Sequence, residues 1–124
     1  MAPLPAQGFI LVVDDDVLER MGASYMFSDA GYQVLEAGSA DAALHFFEIN
    51  SDIRLLFTDV SMPGAMNGAE LACRVADRWP TVGIIMTSGR PFPQNLPTRV
   101  RFHPKPYQPL DVLRDAAEMA LPLG

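Results

Sequence analysis

Four short apolar runs, each followed by polar side chains, constrain the fold of this chain more than any other feature. Residues 55–57 form one run, which leads to Asp59 and then at once into a Pro-Gly turn. A short apolar run that ends at a turn is typical of a buried strand, so the carboxylate would lie at its C-terminal end. The other runs are residues 9–13 before Asp14, Asp15 and Asp16, residues 82–86 before Thr87, and residues 100–102 before Lys105.

Helical patterns separate these runs, and this alternation predicts an α/β fold. We expect a doubly wound, five-stranded parallel sheet with the flavodoxin-like order 2-1-3-4-5 and helices on both faces. Because parallel strands end at one edge, the acids, Thr87 and Lys105 should converge there on Asp59. The predicted strands are 9–13, 32–36, 53–58, 82–86 and 99–102. The predicted helices are 17–30, one capped by Ser39, one from Asn67 to Pro80 that Asn67 and Glu70 begin as a capping box, and one from Pro109.

Two segments are expected to depart from this regular pattern. Residues 1–7 contain two prolines and no periodicity, so we predict a flexible lead, with residues 8–124 forming one domain. Residues 89–97 contain three prolines, which leave room for a loop with at most one helical turn. The helix that normally follows a fourth strand should therefore be shortened or irregular, and the conformation of residues 89–101 is left open.

Helical spacing predicts which faces of the first and last helices are buried. For the first helix the predicted buried set is Gly22, Ala23, Met26, Phe27 and Ala30, with Ser24 on the solvent side. For the last helix it is Leu110, Leu113, Ala117 and Ala120.

Composition excludes several classes of function. The net charge is −6 and only nine lysines and arginines are present, so we expect no direct DNA binding. No apolar run approaches the roughly 20 residues of a membrane span, and no basic region precedes an apolar core at the N-terminus. We therefore expect neither a membrane segment nor a secretory signal. The single cysteine, Cys73, favours a reducing cytoplasm, and its apolar neighbours predict a packed thiol.

The acids at the predicted sheet edge indicate a metal site. Three consecutive aspartates at 14–16 facing Asp59 would repel one another unless a cation is bound, and Mg²⁺ prefers such oxygen ligands. The alternative is a solvated acidic turn whose aspartates cap a helix. With Mg²⁺ bound, Asp59 would be the nucleophile of a phosphoryl transfer, while Lys105 and Thr87 would contact phosphoryl oxygens.

Four segments in order resemble the receiver domain of two-component response regulators. They are residues 10–16, 58–64, 85–88 and 102–107, and the resemblance extends over about residues 8–121. It implies that the chain takes a phosphoryl group from a histidine kinase or a histidine phosphotransfer protein, depends on Mg²⁺, and loses the group by hydrolysis. It implies no other enzymatic activity. The cognate kinase, the output protein, the phosphoryl lifetime and the formation of a homodimer are left open.

The resemblance also implies roles for individual residues. These are the phosphoacceptor for Asp59, the Mg²⁺-binding acid pair for Asp14 and Asp15, a further Mg²⁺ ligand for the main-chain carbonyl of Ser61, the phosphate-contacting lysine for Lys105, the switch hydroxyl for Thr87, and the aromatic switch for Phe102.

Two features depart from the receiver pattern. The Pro-rich segment 89–97 replaces a full helix after the switch threonine. Because that helix normally forms part of the output surface of a receiver, we do not predict the usual output surface for this chain. Residues 64–68 contain one residue more than many receivers have in this turn. The chain is similar in these respects to receivers of hybrid sensor kinases and to stand-alone regulators, and the sequence does not distinguish between the two.

Two other functions compete with this interpretation. A haloacid-dehalogenase-like phosphohydrolase would use Asp14 as nucleophile and Asp16 as its second acid, but the further acidic motif expected after Lys105 is missing. It would also leave Asp59 without a role. A pseudo-receiver would bind a partner without being phosphorylated. This alternative is disfavoured because the chain retains the acids, Thr87 and Lys105.

Several single residues are expected to be structural. We interpret His45 as a partly packed helix residue, His103 as an exposed loop residue and Trp79 as a core anchor. Phe102 fits a core strand position as well as a switch position. The Lys105–Pro106 bond is a candidate for the cis conformation.

Overall fold

A computed structural model of the chain describes residues 8–89, 96, 97 and 99–120. The predicted lead at residues 1–7 and most of the Pro-rich segment lie outside the described residues. The strands are β1 Phe9–Val13, β2 Gln33–Ala37, β3 Ile53–Asp59, β4 Gly83–Ser88 and β5 Arg101–Pro104. The helices are α1 Val17–Asp29, α2 Ala40–Ile49, α3 Gly68–Arg78 and α4 Pro109–Ala120.

All five strands are parallel, and their order is β2-β1-β3-β4-β5. This confirms the predicted doubly wound sheet and its strand order. Between β4 and β5 the described residues 89, 96, 97, 99 and 100 form no helix. In the described part of the chain four helices accompany the five strands, and α4 follows β5.

The sheet is covered on both faces because its strands are apolar on both sides. Leu11, Leu56 and Ile84 face one cluster, which α2 and α3 complete. Their strand neighbours Val12 and Phe57 face a second cluster, which α1 and α4 complete. The sheet thus lies between two helical layers and exposes mainly its edges and strand ends.

Capping side chains begin three of the helices. Asp16 caps α1 and Ser39 caps α2 through main-chain N–H groups three residues on. At α3, Asn67 accepts from the Glu70 N–H at 2.9 Å while Glu70 accepts from the Asn67 N–H at 3.0 Å. The last pair is the predicted capping box, and such a cap contributes about 1 kcal/mol to stability.

The predicted buried faces of α1 and α4 were wrong in part. In α1, Gly22 is exposed and Ser24 is buried, because the helix packs over β1 and β2, and Ala30, which follows the end of α1, is also exposed. Among the α4 residues whose burial the structure describes, which do not include Ala120, Val112 and Ala116 are buried, whereas Leu110 is 79% exposed. Both alternatives have helical spacing, so periodicity alone did not distinguish them.

The strand ends and some single residues also differ from expectation. β4 and β5 each end two residues beyond the predicted strand, so Thr87 is the fifth residue of β4. Cys73 is exposed on α3 rather than packed, and His45 is exposed on α2. Trp79 does pack in the core as predicted, with its ring centroid 5.2 Å from that of Phe47.

One glycine allows α3 to begin directly beside the end of β3. The Gly68 N–H donates to the Val60 carbonyl at 2.9 Å. A Cβ at residue 68 would overlap the main-chain oxygen of Asp59. The position of Asp59 therefore depends on a residue without a side chain at the first position of α3.

Replacement of this glycine should destabilise the fold. We expect Gly68→Ala to lower the free energy of unfolding by about 1 to 3 kcal/mol, because backbone must move to relieve the overlap. Gly22→Ala is the matched control. A Cβ there meets nothing within 4 Å, so the higher helix propensity of alanine should raise the free energy of unfolding by about 0.5 to 1 kcal/mol. Urea unfolding measures both, and equal effects of the two substitutions would contradict the proposed overlap.

Candidate functional site

The carboxyl edge of the sheet brings together the residues predicted to converge there. Asp59 pairs in register with Thr87 on the neighbouring strand. The Val60 N–H donates to the Thr87 carbonyl at 2.9 Å, and the Lys105 N–H donates to the Ser88 carbonyl at 2.8 Å. Main-chain hydrogen bonds of the sheet therefore set the positions from which Asp59, Thr87 and Lys105 extend.

Three aspartates form a compact group at this edge. One carboxylate oxygen from each of Asp14, Asp15 and Asp59 lies within 4.8 Å of the others. The Asp14 carboxylate accepts from the Asp16 N–H at 2.9 Å, and the Asp59 carboxylate accepts from the Ser61 N–H at 3.2 Å. These oxygens are the hard ligands that Mg²⁺ prefers, and such a site keeps several ligand positions for water or phosphate. The donor set thus fits the predicted ion.

Asp14 is the most buried member of the group, with 7% of its surface exposed. Burial raises the pKa of its carboxyl to about 6, and the charges of Asp59 and Glu19 act in the same direction. The Asp16 N–H and Lys105 oppose this increase only in part. The raised pKa shows that the ionised group is incompletely compensated by the protein alone.

Lys105 supplies the positive charge nearest to these carboxylates. Its Nζ lies 3.2 Å from Oδ2 of Asp59 and 3.9 Å from Oδ2 of Asp14, and it also donates to Glu19. Burial lowers the pKa of this ammonium, but the hydrogen bonds to Glu19 and Asp59 outweigh burial and raise it. Lys105 is therefore held in the charged form beside Asp59. The Lys105–Pro106 bond is cis, as predicted.

Glu19 is a site residue that the sequence reasoning missed. It lies in the first turn of α1, three residues after the Asp16 cap, and reaches Lys105 across the edge of the sheet. One sequence feature could have identified it. Glu19 follows the acidic run by one helical turn, and the first turn of a helix that starts at a strand end still lies beside the carboxyl edge of the sheet. Helical spacing only leaves Glu19 outside the buried face of the first helix and does not show which residue its side chain contacts.

Thr87 and Phe102, the predicted switch pair, lie on the neighbouring strands β4 and β5. Thr87 is buried near the end of β4. Phe102, on β5, is partly buried and packs against the core cluster on the α2 and α3 side. This confirms a core position for Phe102, and its rotation with Thr87 stays a prediction.

His103 is not the exposed loop residue that we predicted. It belongs to β5, and its Nε2 lies 2.6 Å from Oδ2 of Asp115 on α4. Arg101 donates to the other oxygen of the same carboxylate at 2.6 Å. Burial raises the pKa of Asp115, but the hydrogen bonds with His103 and Arg101 outweigh it, and the pKa is lowered overall. These polar contacts tie β5 to α4.

The described helices also bear on the expectation that no segment spans a membrane. None of them combines the length and apolar character that crossing a bilayer requires.

Residues 10–98 match the family model of the response regulator receiver domain. The sensor kinase CckA of Brucella abortus (strain 2308) is 30% identical over 122 residues, which cover 94% of this chain and 13% of the kinase. The two-component response regulator ORR3 of Oryza sativa subsp. indica is 28% identical over 116 residues, or 85% of each chain. The chain is thus similar to a small part of the kinase and to most of the regulator.

Solved structures agree with these sequence matches. The CheY-like response regulator receiver domain protein of Methanospirillum hungatei JF-1 superposes with a TM-score of 0.81 at 26% identity. The superposition covers 91% of this chain and 93% of that chain.

Asp14 should make the stability of the metal-free protein depend on pH. Its pKa is about 6 in the folded state, whereas an unfolded aspartate titrates near about 4. The folded state therefore binds the proton more tightly, so the contribution of this group is fully present below about pH 4 and is lost as the pH rises through about 6. In EDTA, urea unfolding should show this decline in the wild type and a flatter profile in Asp14→Asn.

Asp29→Asn, at the exposed end of α1, is the matched control for the loss of one negative charge. It should keep the wild-type pH profile. A profile that Asp14→Asn leaves unchanged would show that Asp14 titrates in the folded protein as it does in the unfolded chain.

Proposed function

The chain belongs to the response regulator receiver family, and from this membership we propose that it accepts a phosphoryl group on Asp59 and changes conformation in response. The observation that carries the proposal is the pairing of Asp59 with Lys105, whose atoms Oδ2 and Nζ lie 3.2 Å apart beside two further carboxylates. An acceptor oxygen, a fixed cation and a candidate metal group are the components that phosphoryl transfer needs.

In the proposed reaction an Oδ atom of Asp59 attacks the phosphorus of a phosphohistidine. A bond from oxygen to phosphorus forms, the bond from phosphorus to the imidazole nitrogen breaks, and the imidazole leaves with the electron pair. The Lys105 ammonium would contact one phosphoryl oxygen, and the Thr87 hydroxyl would donate to another. Hydrolysis of the acyl phosphate later restores Asp59.

The carboxylates of Asp14, Asp15 and Asp59, with the main-chain carbonyl of Ser61, would hold Mg²⁺. When bound, the ion neutralises negative charge on the phosphoryl oxygens during transfer. Asp14 supports this assignment because burial disfavours its ionised form in the metal-free protein, and a bound cation would relieve that cost.

The proposed donor is a histidine kinase or a histidine phosphotransfer protein. The similarity to part of a sensor kinase and to a two-component response regulator supports this class of partner. We place the reaction in the cytoplasm, where such donors act. Thr87 and Phe102 would carry the change of state to an output protein or to a second copy of the chain, since they connect Asp59 to β5.

The competing phosphohydrolase finds less support in the geometry. Asp16, its second acid, caps α1 through the Glu19 N–H and lies outside the group of three aspartates formed by the described residues. A pseudo-receiver remains the alternative that direct phosphorylation tests. The chain's own chemistry would otherwise be limited to gaining and losing its phosphoryl group.

Incubation with Mg²⁺ and acetyl phosphate should add one phosphoryl group to the wild-type chain. Intact-mass spectrometry should show the adduct in the wild type and in Asp77→Asn, an exposed matched control on α3, but not in Asp59→Asn. Lys105→Gln should slow its formation by at least about tenfold, since a charge-assisted contact to the phosphoryl group is lost.

The location of the adduct distinguishes the three functions. Label on Asp59 supports the receiver, and label on Asp14 would support the hydrolase. If neither acetyl phosphate nor a phosphorylated histidine donor labels the chain, the pseudo-receiver is the better description.

Millimolar Mg²⁺ should raise the melting temperature of the wild type by several degrees, because only the folded state presents the three carboxylates together. Asp15→Asn should reduce this increase, while Asp77→Asn should preserve it. Thermal unfolding in Mg²⁺ and in EDTA measures the effect. An unchanged wild-type melting temperature would contradict the metal site.

A further inference from the structure

A groove of about 510 Å³, here called the α1 groove, lies beside the phosphoacceptor site. Residues of α1, of the sheet and of the segment after β5 line it, among them Gly22, Ala23, Phe57, Lys105 and Tyr107. Its volume falls within the roughly 300 to 1,000 Å³ of small-molecule sites. The groove shares Asp14, Thr87 and Lys105 with the phosphoacceptor site and continues from them along α1 to Gly22 and Ala23.

Gly22 opens one side of this groove. It lies in the interior of α1, where glycine costs about 0.5 to 1 kcal/mol relative to alanine. No close approach requires it, since a Cβ there would meet nothing within 4 Å. The packing of the described residues therefore does not explain a glycine at this position, whereas an open groove does.

The inner part of the groove is apolar and aromatic. Val12 and Ala23 line it together with the rings of Phe57 and Tyr107, whose centroids lie 5.7 Å apart at an interplanar angle of 81°. Phe57 is almost fully buried, so the partly exposed ring of Tyr107 supplies most of the aromatic surface that a ligand could contact.

The polar part of the groove is net negative. Two carboxylates, Asp14 and Glu19, line it with one ammonium, that of Lys105. Lys105 already contacts Glu19 and Asp59, so its charge is matched. Asp14 and Asp15 belong to the group assigned to Mg²⁺, so Glu19 is the carboxylate left for a ligand. The side chain of Glu19 is about half exposed and can turn toward an incoming group. Charge complementarity therefore favours a cation over an anion or a neutral ligand.

We propose that the α1 groove binds a small molecule with a ring-sized apolar body and one cationic nitrogen. The body would lie against Ala23, Phe57 and Tyr107, and the nitrogen would pair with the Glu19 carboxylate. Binding would compete with Lys105 for Glu19 and leave Lys105 to Asp59. The coupling to phosphorylation rests on the proposed function, whereas binding itself does not.

The test compares three probes of one shape in the presence of millimolar Mg²⁺. They are 2-phenylethylammonium, the neutral 2-phenylethanol and the anionic phenylacetate. Titrations followed by NMR amide shifts should locate the amine at Ala23 and Tyr107. The amine should bind at least about tenfold more tightly than phenylacetate, with the alcohol between them.

Substitutions separate the apolar body from the charge. Gly22→Leu should fill the groove and weaken the amine and the alcohol at least about tenfold, whereas Ser28→Leu, an exposed control on the same helix, should leave both unchanged. Glu19→Gln should weaken the amine by about two- to fivefold and spare the alcohol, since a half-exposed ion pair contributes little. Asp29→Asn is its matched charge control.

Three results would overturn the proposal: no amide shift with any probe at millimolar concentration, equal binding of the amine to wild type and Gly22→Leu, or tightest binding of phenylacetate. Urea unfolding of each variant verifies that it is folded, and Glu19→Gln tests the charge even if Gly22→Leu does not fold. Asp59→Asn should lose phosphorylation and keep amine binding, which would show that binding in the α1 groove can be tested separately from the proposed function.

Discussion

The attraction between the Lys105 ammonium and the carboxylates around it is the interaction on which the functional edge depends. A parallel sheet places Asp14 and Asp59 at one edge whatever their mutual repulsion. Pairing of β5 with β4 brings Lys105 to the same edge, where Nζ lies 3.2 Å from Oδ2 of Asp59. The cation that compensates the acids in this state is thus already beside the oxygen proposed to receive the phosphoryl group.

Glu19 links this edge to α1 and its groove. Because Lys105 contacts both Glu19 and Asp59, a change in the charge at either carboxylate alters how strongly the ammonium interacts with the other. A phosphoryl group on Asp59 would attract Lys105, and a cation at Glu19 would release it, so both would favour the ammonium at Asp59. The two proposed sites would therefore be coupled through Lys105.

Much of this arrangement could be predicted because it follows from local rules. The apolar runs gave the parallel strands, and short connections limited their order. The capping pair of Asn67 and Glu70 gave the start of α3. Convergence of Asp14, Asp15, Asp59, Thr87 and Lys105 then required only that parallel strands end at one edge. The match to the receiver family agrees with the motifs that carried the resemblance.

The sequence by itself determined the element types, the strand order and the acids at the strand tips, since each depends on periodicity, chain reach and residue chemistry. Only the tertiary structure decided which face of α4 is buried, that Cys73 is exposed, that His103 pairs with Asp115, and that Glu19 reaches Lys105. Periodicity shows which residues share a helical face. The point where the helix meets the sheet decides which face is covered, and that point depends on packing between residues distant in the chain.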